Sequence, residues 1–293
     1  MPRERSRAGT RDIVPRPLRV QAVVASGTAI LEPDPDRPYA ATLFVDGTPQ
    51  SHVDLADPTY LCFEYVQHIG AILDVVLSTQ GSLRLLHLGG GALTLPRYVA
   101  ATRPRSQQRV AEIDGPLVAL VRAELPIDAR HRIRVSTADG RELLARTRAA
   151  SLDALVVDVF AGARVPASVV TMEFFALAAG ALRPTGVLIL NIVDGKPLAF
   201  ARRLTATART SFASTAVAAE AAVWRGRRFS NLVLIAAQTQ LPAPALASRL
   251  AGGPFPARLE HGPALTSFVG TAEPIRDDDE AATPQPPADL FAR

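Results

Sequence analysis

The chain has 293 residues, of which 48% are hydrophobic, so it can form a buried core and is not globally disordered. The net charge is only +4, and the arginines that supply most of the basic charge are spread along the chain, which argues against a nucleic-acid partner. No apolar run approaches the ~18 residues that cross a bilayer, so we expect no membrane partner.

The N-terminus is basic but lacks the apolar segment of a secretory signal. A single cysteine, Cys62, excludes an internal disulfide and a cysteine-based zinc site, and the histidines show no metal-ligand spacing. We therefore expect a cytoplasmic protein without a bound metal.

Composition divides the chain into five regions. Residues 1–17 are polar and basic, and residues 273–293 are acidic and proline-rich, so both are predicted to be disordered tails. Residues 18–58 are predicted to form a small antiparallel β cap, in which Asp46-Gly47 closes a hairpin after the strand Ala40–Val45. Residues 59–240 form the main domain, and residues 241–272 are a C-terminal extension with a short helix and an edge strand.

The main domain begins with a helix over residues 59–79 and then alternates strands with helices. Its predicted strands are Leu83–Leu88, Gln108–Ile113, Arg132–Ser136, Leu152–Val159 and Gly186–Ile192. Its predicted helices are Leu93–Ala101, Pro116–Glu124, Gly140–Arg148 and Ala167–Leu182. The alternation predicts a doubly wound α/β fold with a mostly parallel sheet. Thr215–Val223 and Phe229–Ala236 follow as a terminal antiparallel hairpin, with no room for a helix between them.

The most informative segment is Gly89-Gly90-Gly91, which joins the first strand to the next helix. Glycines allow a tight turn and the close approach of a ligand, and the helix N-terminus supplies unpaired N–H donors. A plain strand-to-helix turn is the structural alternative, but three consecutive glycines exceed what such a turn needs. The segment therefore predicts a nucleoside-binding loop.

Three acidic residues follow later strands. Glu112 ends the second strand and can accept hydrogen bonds from both ribose hydroxyls, whereas Asp114 is better placed to cap the next helix. Asp139-Gly140 follows the third strand, where Asp139 binds ligand or caps a helix. Asp158 closes the apolar fourth strand, where it is a candidate general base, a cation contact or a cap of the next loop.

These residues together resemble the spermidine synthase (polyamine aminopropyltransferase) family, in particular its bacterial spermidine synthase-like branch. The match runs from about Val45 to Ala237. Its components are Asp46 to Gln50, Phe63-Glu64-Tyr65, Gly89 to Gly91, Glu112 to Asp114, Asp139-Gly140 and Asp158.

The resemblance implies a seven-stranded sheet of the class I methyltransferase type, with a terminal antiparallel hairpin. It implies that an S-adenosyl-type sulfonium co-substrate is held by Gln50, Gly89, Gly90, Gly91, Glu112, Asp139 and Gly140. It implies that Asp158 is the catalytic base, which accepts a proton from an amine acceptor. It also indicates a homodimer, by analogy alone.

The sequence departs from the family where carboxylates should hold a polyamine. The position after the triple glycine is Ala92, the position three residues after the catalytic acid is Ala161, and the family's helix tyrosine corresponds to Phe63. Ala92 would remove an acid that faces the amine of decarboxylated S-adenosylmethionine, which favours intact S-adenosylmethionine instead.

Three functions remain open from the sequence. The first is aminopropyl transfer from decarboxylated S-adenosylmethionine to an amine or other small-molecule acceptor, with an atypical acceptor site. The second is methyl transfer from S-adenosylmethionine on the same fold. The third is adenosyl-ligand binding without catalysis.

Overall fold

The computed structural model describes residues 16–162, 164–279 and 284, and comprises two β-sheets with helices on both faces of the larger one. The predicted tail at residues 1–17 lies outside the described residues except for its last two positions.

The predicted N-terminal cap is an antiparallel sheet in which each strand pairs with the next one along the chain. Its strands are β1 (Val20–Val24), β2 (Gly27–Pro33), β3 (Ala40–Val45) and β4 (Thr48–Asp54). The β3–β4 turn places Asp46 and Gly47 at φ 46° and 76°, as a two-residue hairpin turn requires.

The larger sheet has eight strands, seven from the main domain and one from the C-terminal extension. They are β5 (Arg84–Leu88), β6 (Gln107–Glu112), β7 (Ile133–Thr137), β8 (Leu152–Val157), β9 (Leu182–Asp194), β10 (Ser214–Glu220), β11 (Ser230–Ala237) and β12 (Ala257–His261). The strand order is β12-β10-β11-β9-β8-β5-β6-β7. Strands β5 to β9 are parallel, and β11 enters antiparallel between β9 and β10. The predicted fold class is confirmed.

Nine α-helices connect the strands within the described residues. They are α1 (Glu64–Val76), α2 (Thr94–Thr102), α3 (Gly115–Glu124), α4 (Gly140–Ala145), α5 (Met172–Ala181), α6 (Ala199–Arg209), α7 (Ala221–Trp224), α8 (Ala243–Ala251) and α9 (Gly262–Val269). Helices α1, α2 and α8 share a hydrophobic core with one face of the sheet, and α5, α6 and α9 share a core with the other face.

The α1 helix illustrates why the sequence folds this way. Its apolar residues recur at helical spacing, and Ile69, Ile72 and Leu73 are fully buried against the sheet. Each such side chain contributes roughly 1.5–3 kcal/mol of burial free energy. This packing fixes the helix on one face of the sheet, with its first turn at the cavity described below.

The cap is joined to the main domain through Asp114, as well as by a core shared with α3. The Asp114 carboxylate accepts hydrogen bonds from the Ala25 and Ser26 amides at 3.1 and 2.8 Å, from the Ser26 hydroxyl at 2.6 Å, and from the Leu117 amide at 3.0 Å. The carboxylate therefore caps α3, as the sequence predicted, and also holds the first turn of the cap in place.

Several predicted boundaries differ from the structure. The helix predicted over Ala167–Leu182 is a 3₁₀ turn at Ala167–Val169 followed by α5, because the Thr171 hydroxyl caps α5 by accepting from the Phe174 amide at 3.3 Å. The hairpin loop contains the one-turn helix α7, although no helix was expected. The ladder between β10 and β11 ends at Ala218 and Val233, so the chain leaves the sheet before Ala221.

The edge strand predicted in the C-terminal extension is β12, which adds an eighth strand to the expected seven. Residues 273–279 belong to the segment predicted to be disordered, and that prediction is wrong for them. Ile275 is fully buried, Asp277 pairs with Arg141 at 2.6 Å, and Asp279 pairs with Arg203 at 2.7 Å. The rest of the segment lies outside the described residues apart from Pro284.

Among the described helices, none is both long enough and apolar enough to cross a membrane. The described residues also contain no cluster of three or more metal-ligating side chains.

Candidate active site

The carboxyl ends of β5, β6, β7 and β8 open into one cavity of about 550 Å³. All the site residues predicted from the sequence line it, namely Gln50, Gly89, Gly90, Gly91, Glu112, Asp139, Gly140 and Asp158. A ligand cavity at this edge is typical of open α/β sheets, and its volume suits a nucleoside-sized molecule.

The glycine loop needs glycine at two positions. Gly89 has φ +88°, and a Cβ there would lie 2.1 Å from the carbonyl oxygen of Asp158. Gly91 has φ +48°, and a Cβ there would lie 2.3 Å from the Ser51 hydroxyl oxygen. Both conformations strain an L side chain, so the loop can pack against β8 and the cap only with these glycines in place.

Glu112 holds the glycine loop from the neighbouring strand. Its Oε2 accepts hydrogen bonds from the Gly90 and Gly91 amides at 2.9 and 3.3 Å, and its Oε1 accepts one from the Asp114 amide at 3.0 Å. The carboxylate is therefore set at the cavity wall before any ligand binds. Beside it, Ile113 is 69% exposed and lines the cavity, where it offers an apolar surface that the sequence interpretation did not use.

Asp139 has the structural role that the sequence left open. Its Oδ1 accepts a hydrogen bond from the Glu142 amide at 2.9 Å and caps α4. The residue also lines the cavity, so helix capping and ligand contact are compatible at this position.

Asp158 is held by two polar side chains. Asn191 donates from Nδ2 to Asp158 Oδ1 at 2.9 Å, and Asn231 in turn donates to Asn191 Oδ1 at 3.1 Å. Tyr65 is the second hydrogen-bond partner of the carboxylate. Burial raises the pKa of Asp158 above its usual range, and the hydrogen bonds from Asn191 and Tyr65 lower it in part. Such a carboxyl is suited to exchange a proton with a bound amine.

The tyrosine that contacts Asp158 corrects the sequence interpretation, which assigned the helix position to Phe63. Tyr65 lies on the first turn of α1, and its pKa is raised well above the usual value by burial and then by the neighbouring Asp158. The tyrosine therefore donates its proton in a hydrogen bond and is not ionised. Tyr65 fits the apolar pattern of α1, so the periodicity of the sequence could not show that its hydroxyl group contacts Asp158.

Asn191 was also missed, although the sequence carries a signal for it. The residue lies in the apolar strand β9 and is 1% exposed. A buried amide needs hydrogen-bond partners, so an asparagine in such a strand indicates a polar neighbour on the adjacent strand.

The two alanines singled out from the sequence lie in different places. Ala161 lines the cavity beyond Asp158. Ala92 is fully buried, donates its amide to the Ser51 hydroxyl at 3.2 Å, and is absent from the cavity wall. The expectation that Ala92 itself selects the ligand therefore has no support in the geometry.

A buried histidine forms part of the cavity wall below the glycine loop. His87 is 2% exposed, and its Nε2 is 2.9 Å from the Oε1 of Gln108. Gln108 donates from its Nε2 to the Pro96 carbonyl oxygen at 2.8 Å, which orients the amide. Burial lowers the pKa of His87 to about 4, so the imidazole is neutral at physiological pH.

The charged residues that line the cavity are all acidic. Its acidic lining residues are Asp46, Glu112, Asp114, Asp139 and Asp158. No arginine or lysine appears among the described lining residues, although the chain as a whole carries a net charge of +4. This wall favours a cationic ligand over an anionic one.

The chain is similar to several known proteins in sequence and in structure. A protein of Corynebacterium glutamicum, described as a probable spermidine synthase, has a crystal structure that matches with a TM-score of 0.83 and 31% identity. The match covers 92% of this chain and 100% of that one. A spermidine synthase in complex with the transition state analogue AdoDATO matches at TM-score 0.55 and 14% identity, over 87% of this chain and 84% of that one, and supports the fold alone.

Among curated sequences, the polyamine aminopropyltransferase of Chromobacterium violaceum is 29% identical over 150 residues. The matched part is 50% of this chain and 56% of that protein, so the chain spans about half the length of this curated relative. No family model matches the sequence.

Proposed function

The chain belongs to the spermidine synthase family, and we propose that it transfers the aminopropyl group of decarboxylated S-adenosylmethionine to an amine acceptor. The observation that carries this proposal is the acidic cavity. It has five carboxylate residues in its wall and no described arginine or lysine. A ligand with a sulfonium and an ammonium group matches that wall.

The charge of the wall also separates the two candidate co-substrates. Intact S-adenosylmethionine carries a carboxylate, which needs a cation or free N–H donors when it leaves water. The decarboxylated form lacks this group and presents only positive charge beyond its neutral adenosine. The cavity therefore favours aminopropyl transfer over methyl transfer.

The adenosine portion of the co-substrate is assigned to the part of the cavity that is formed by the glycine loop and Glu112. Glu112 accepts hydrogen bonds from the ribose hydroxyls, as its position at the end of β6 allows. The glycine loop, Asp139 and Gly140 form the surrounding wall, and Gln50 reaches it from the β cap.

The aminopropyl transfer is assigned to the part of the cavity around Asp158. The acceptor amine attacks the carbon bonded to sulfur, the carbon–sulfur bond breaks, and its electron pair stays on sulfur as methylthioadenosine leaves. The amine gives up one proton, which the Asp158 carboxylate accepts. Tyr65 and Asn191 hold that carboxylate in position.

The acceptor is expected to be held by fewer carboxylates than is usual for the family. Ala161 lies in the cavity wall beyond Asp158 and provides no charge for a distant ammonium group. An acceptor with one reacting amine and an apolar or neutral remainder fits this part of the cavity.

The test is a product assay. Purified protein is incubated with decarboxylated S-adenosylmethionine and a panel of monoamines, diamines and polyamines, and methylthioadenosine and the alkylated amine are identified by mass spectrometry. Formation of both products, abolished in Asp158→Asn, supports the proposal. Methylated products from intact S-adenosylmethionine, or no turnover of either co-substrate, would contradict it.

A further inference from the structure

The hydrogen bonding of His87 is incomplete in a way that points to a ligand. Its Nδ1 is buried and has no hydrogen-bond partner among the described residues. Because the Gln108 amide directs its oxygen at His87 Nε2, that nitrogen carries the imidazole proton. Nδ1 is consequently an unprotonated nitrogen that can accept a hydrogen bond from an N–H or O–H donor.

The position of His87 in the sheet places it between the two halves of the cavity. In the parallel register, His87 pairs with Val110 on β6 and with Val156 on β8. Two residues further along these strands, on the same face, come Glu112 and Asp158. His87 therefore lies below the line that joins the proposed ribose contact to the proposed base.

The chemistry of the missing donor follows from its surroundings. The cavity wall carries five acidic residues, so a cationic donor is favoured over a neutral one. A neutral imidazole nitrogen can accept a hydrogen bond from an alkylammonium group without adding charge.

We infer that His87 Nδ1 is a specificity-determining acceptor for the ammonium group of the propylamine arm of the co-substrate. This assignment rests on the proposed function, since it concerns the same co-substrate.

Two thioether ligands isolate the ammonium group. Decarboxylated S-adenosylhomocysteine carries the propylammonium arm, and methylthioadenosine carries only a methyl group on the same sulfur. Calorimetric affinities for both are measured with wild type, His87→Leu, His87→Asn and His68→Leu. His68 is a matched control, because it is also buried and hydrogen-bonded, to the Phe255 carbonyl oxygen at 2.8 Å, but does not line the cavity.

The expected result for His87→Leu is an affinity for decarboxylated S-adenosylhomocysteine that falls about tenfold or more, with little change for methylthioadenosine. His87→Asn, which keeps an acceptor oxygen near Nδ1, recovers part of the loss, and His68→Leu changes neither affinity. Equal loss for both ligands, or no loss, would overturn the assignment while leaving the proposed function intact. If wild type bound neither ligand, the proposed function and the assignment would fail together.

A measurement on the wild-type protein keeps the inference testable if a variant does not fold. In protein labelled with ¹⁵N in its histidine rings, the resonance of an unprotonated Nδ1 should shift when decarboxylated S-adenosylhomocysteine is added, and less with methylthioadenosine. A histidine spectrum that responds identically to the two ligands would contradict the assignment.

Discussion

The two halves of the cavity are built in different ways. The proposed adenosyl half, formed by the glycine loop, Glu112 and Asp139, is held by hydrogen bonds from backbone amides to the Glu112 and Asp139 carboxylates. The proposed transfer half, formed by Asp158, Tyr65, Asn191 and His87, brings together side chains from α1, β5, β9 and the loop after β8. The first half is a local property of strand-to-helix turns, whereas the second depends on packing across the whole domain.

The largest expected effect is on the transfer half. Asp158→Asn keeps the hydrogen-bonding shape of the side chain but removes the proton acceptor, so kcat should fall by about 10²–10⁴ while co-substrate affinity is kept. Steady-state kinetics and calorimetry on the same preparation measure both quantities. Wild-type turnover in this variant would remove Asp158 from the mechanism.

The next effect concerns the contact between the two halves. Gly89→Ala places a methyl group against the Asp158 carbonyl at a positive φ, so the free energy of unfolding should fall by about 2 kcal/mol or more. Gly180→Ala is the matched control, because α5 leaves open space at that position. That control should keep stability or raise it by up to about 1 kcal/mol, since alanine favours a helix. Chemical denaturation compares them, and equal stability of the two variants would contradict the described loop packing.

A smaller effect is expected in the adenosyl half. Glu112→Ala removes both the proposed ribose contact and the hydrogen bonds to the Gly90 and Gly91 amides, so adenosyl-ligand affinity should fall by roughly tenfold or more. The loss should be similar for methylthioadenosine and for decarboxylated S-adenosylmethionine, because both contain the ribose. An unchanged affinity would exclude Glu112 from ligand binding.

The smallest effect is on the pH dependence. The Tyr65 hydrogen bond lowers the pKa of Asp158 against the raising effect of burial, so Tyr65→Phe should raise that pKa. In the proposed mechanism activity requires the ionised carboxylate and is lost as pH falls through this pKa, so the acidic limb of the rate profile should move to higher pH. Tyr98→Phe is the control, because the Tyr98 hydroxyl contacts Asp74 at 2.8 Å and lies outside the cavity wall. If the acidic limb of the pH–rate profile did not move in Tyr65→Phe, Tyr65 would have no influence on the pKa of Asp158.

The contrast between the halves also explains which parts were predictable from the sequence. The glycine loop, Glu112, Asp139 and Asp158 stand next to strand ends, and a parallel sheet brings such ends to one edge, so their convergence follows from the strand pattern. Tyr65 was missed because its neighbours form an ordinary apolar helix face.

His87 shows a further limit of the sequence. The sequence shows only a histidine in an apolar strand, and its partner Gln108 lies on the next strand and becomes visible only with the register. The ordered residues 273–279 were read as a tail because their composition is polar. These residues are held in place by ion pairs with Arg141 and Arg203, which are distant in sequence.

The most direct test of the account is a calorimetric titration of the wild-type protein with decarboxylated S-adenosylmethionine and with intact S-adenosylmethionine under the same conditions. The acidic cavity predicts tighter binding of the decarboxylated form, because the carboxylate of the intact form meets no described lysine or arginine in the wall. Tighter binding of the intact form, or binding of neither, would contradict the account.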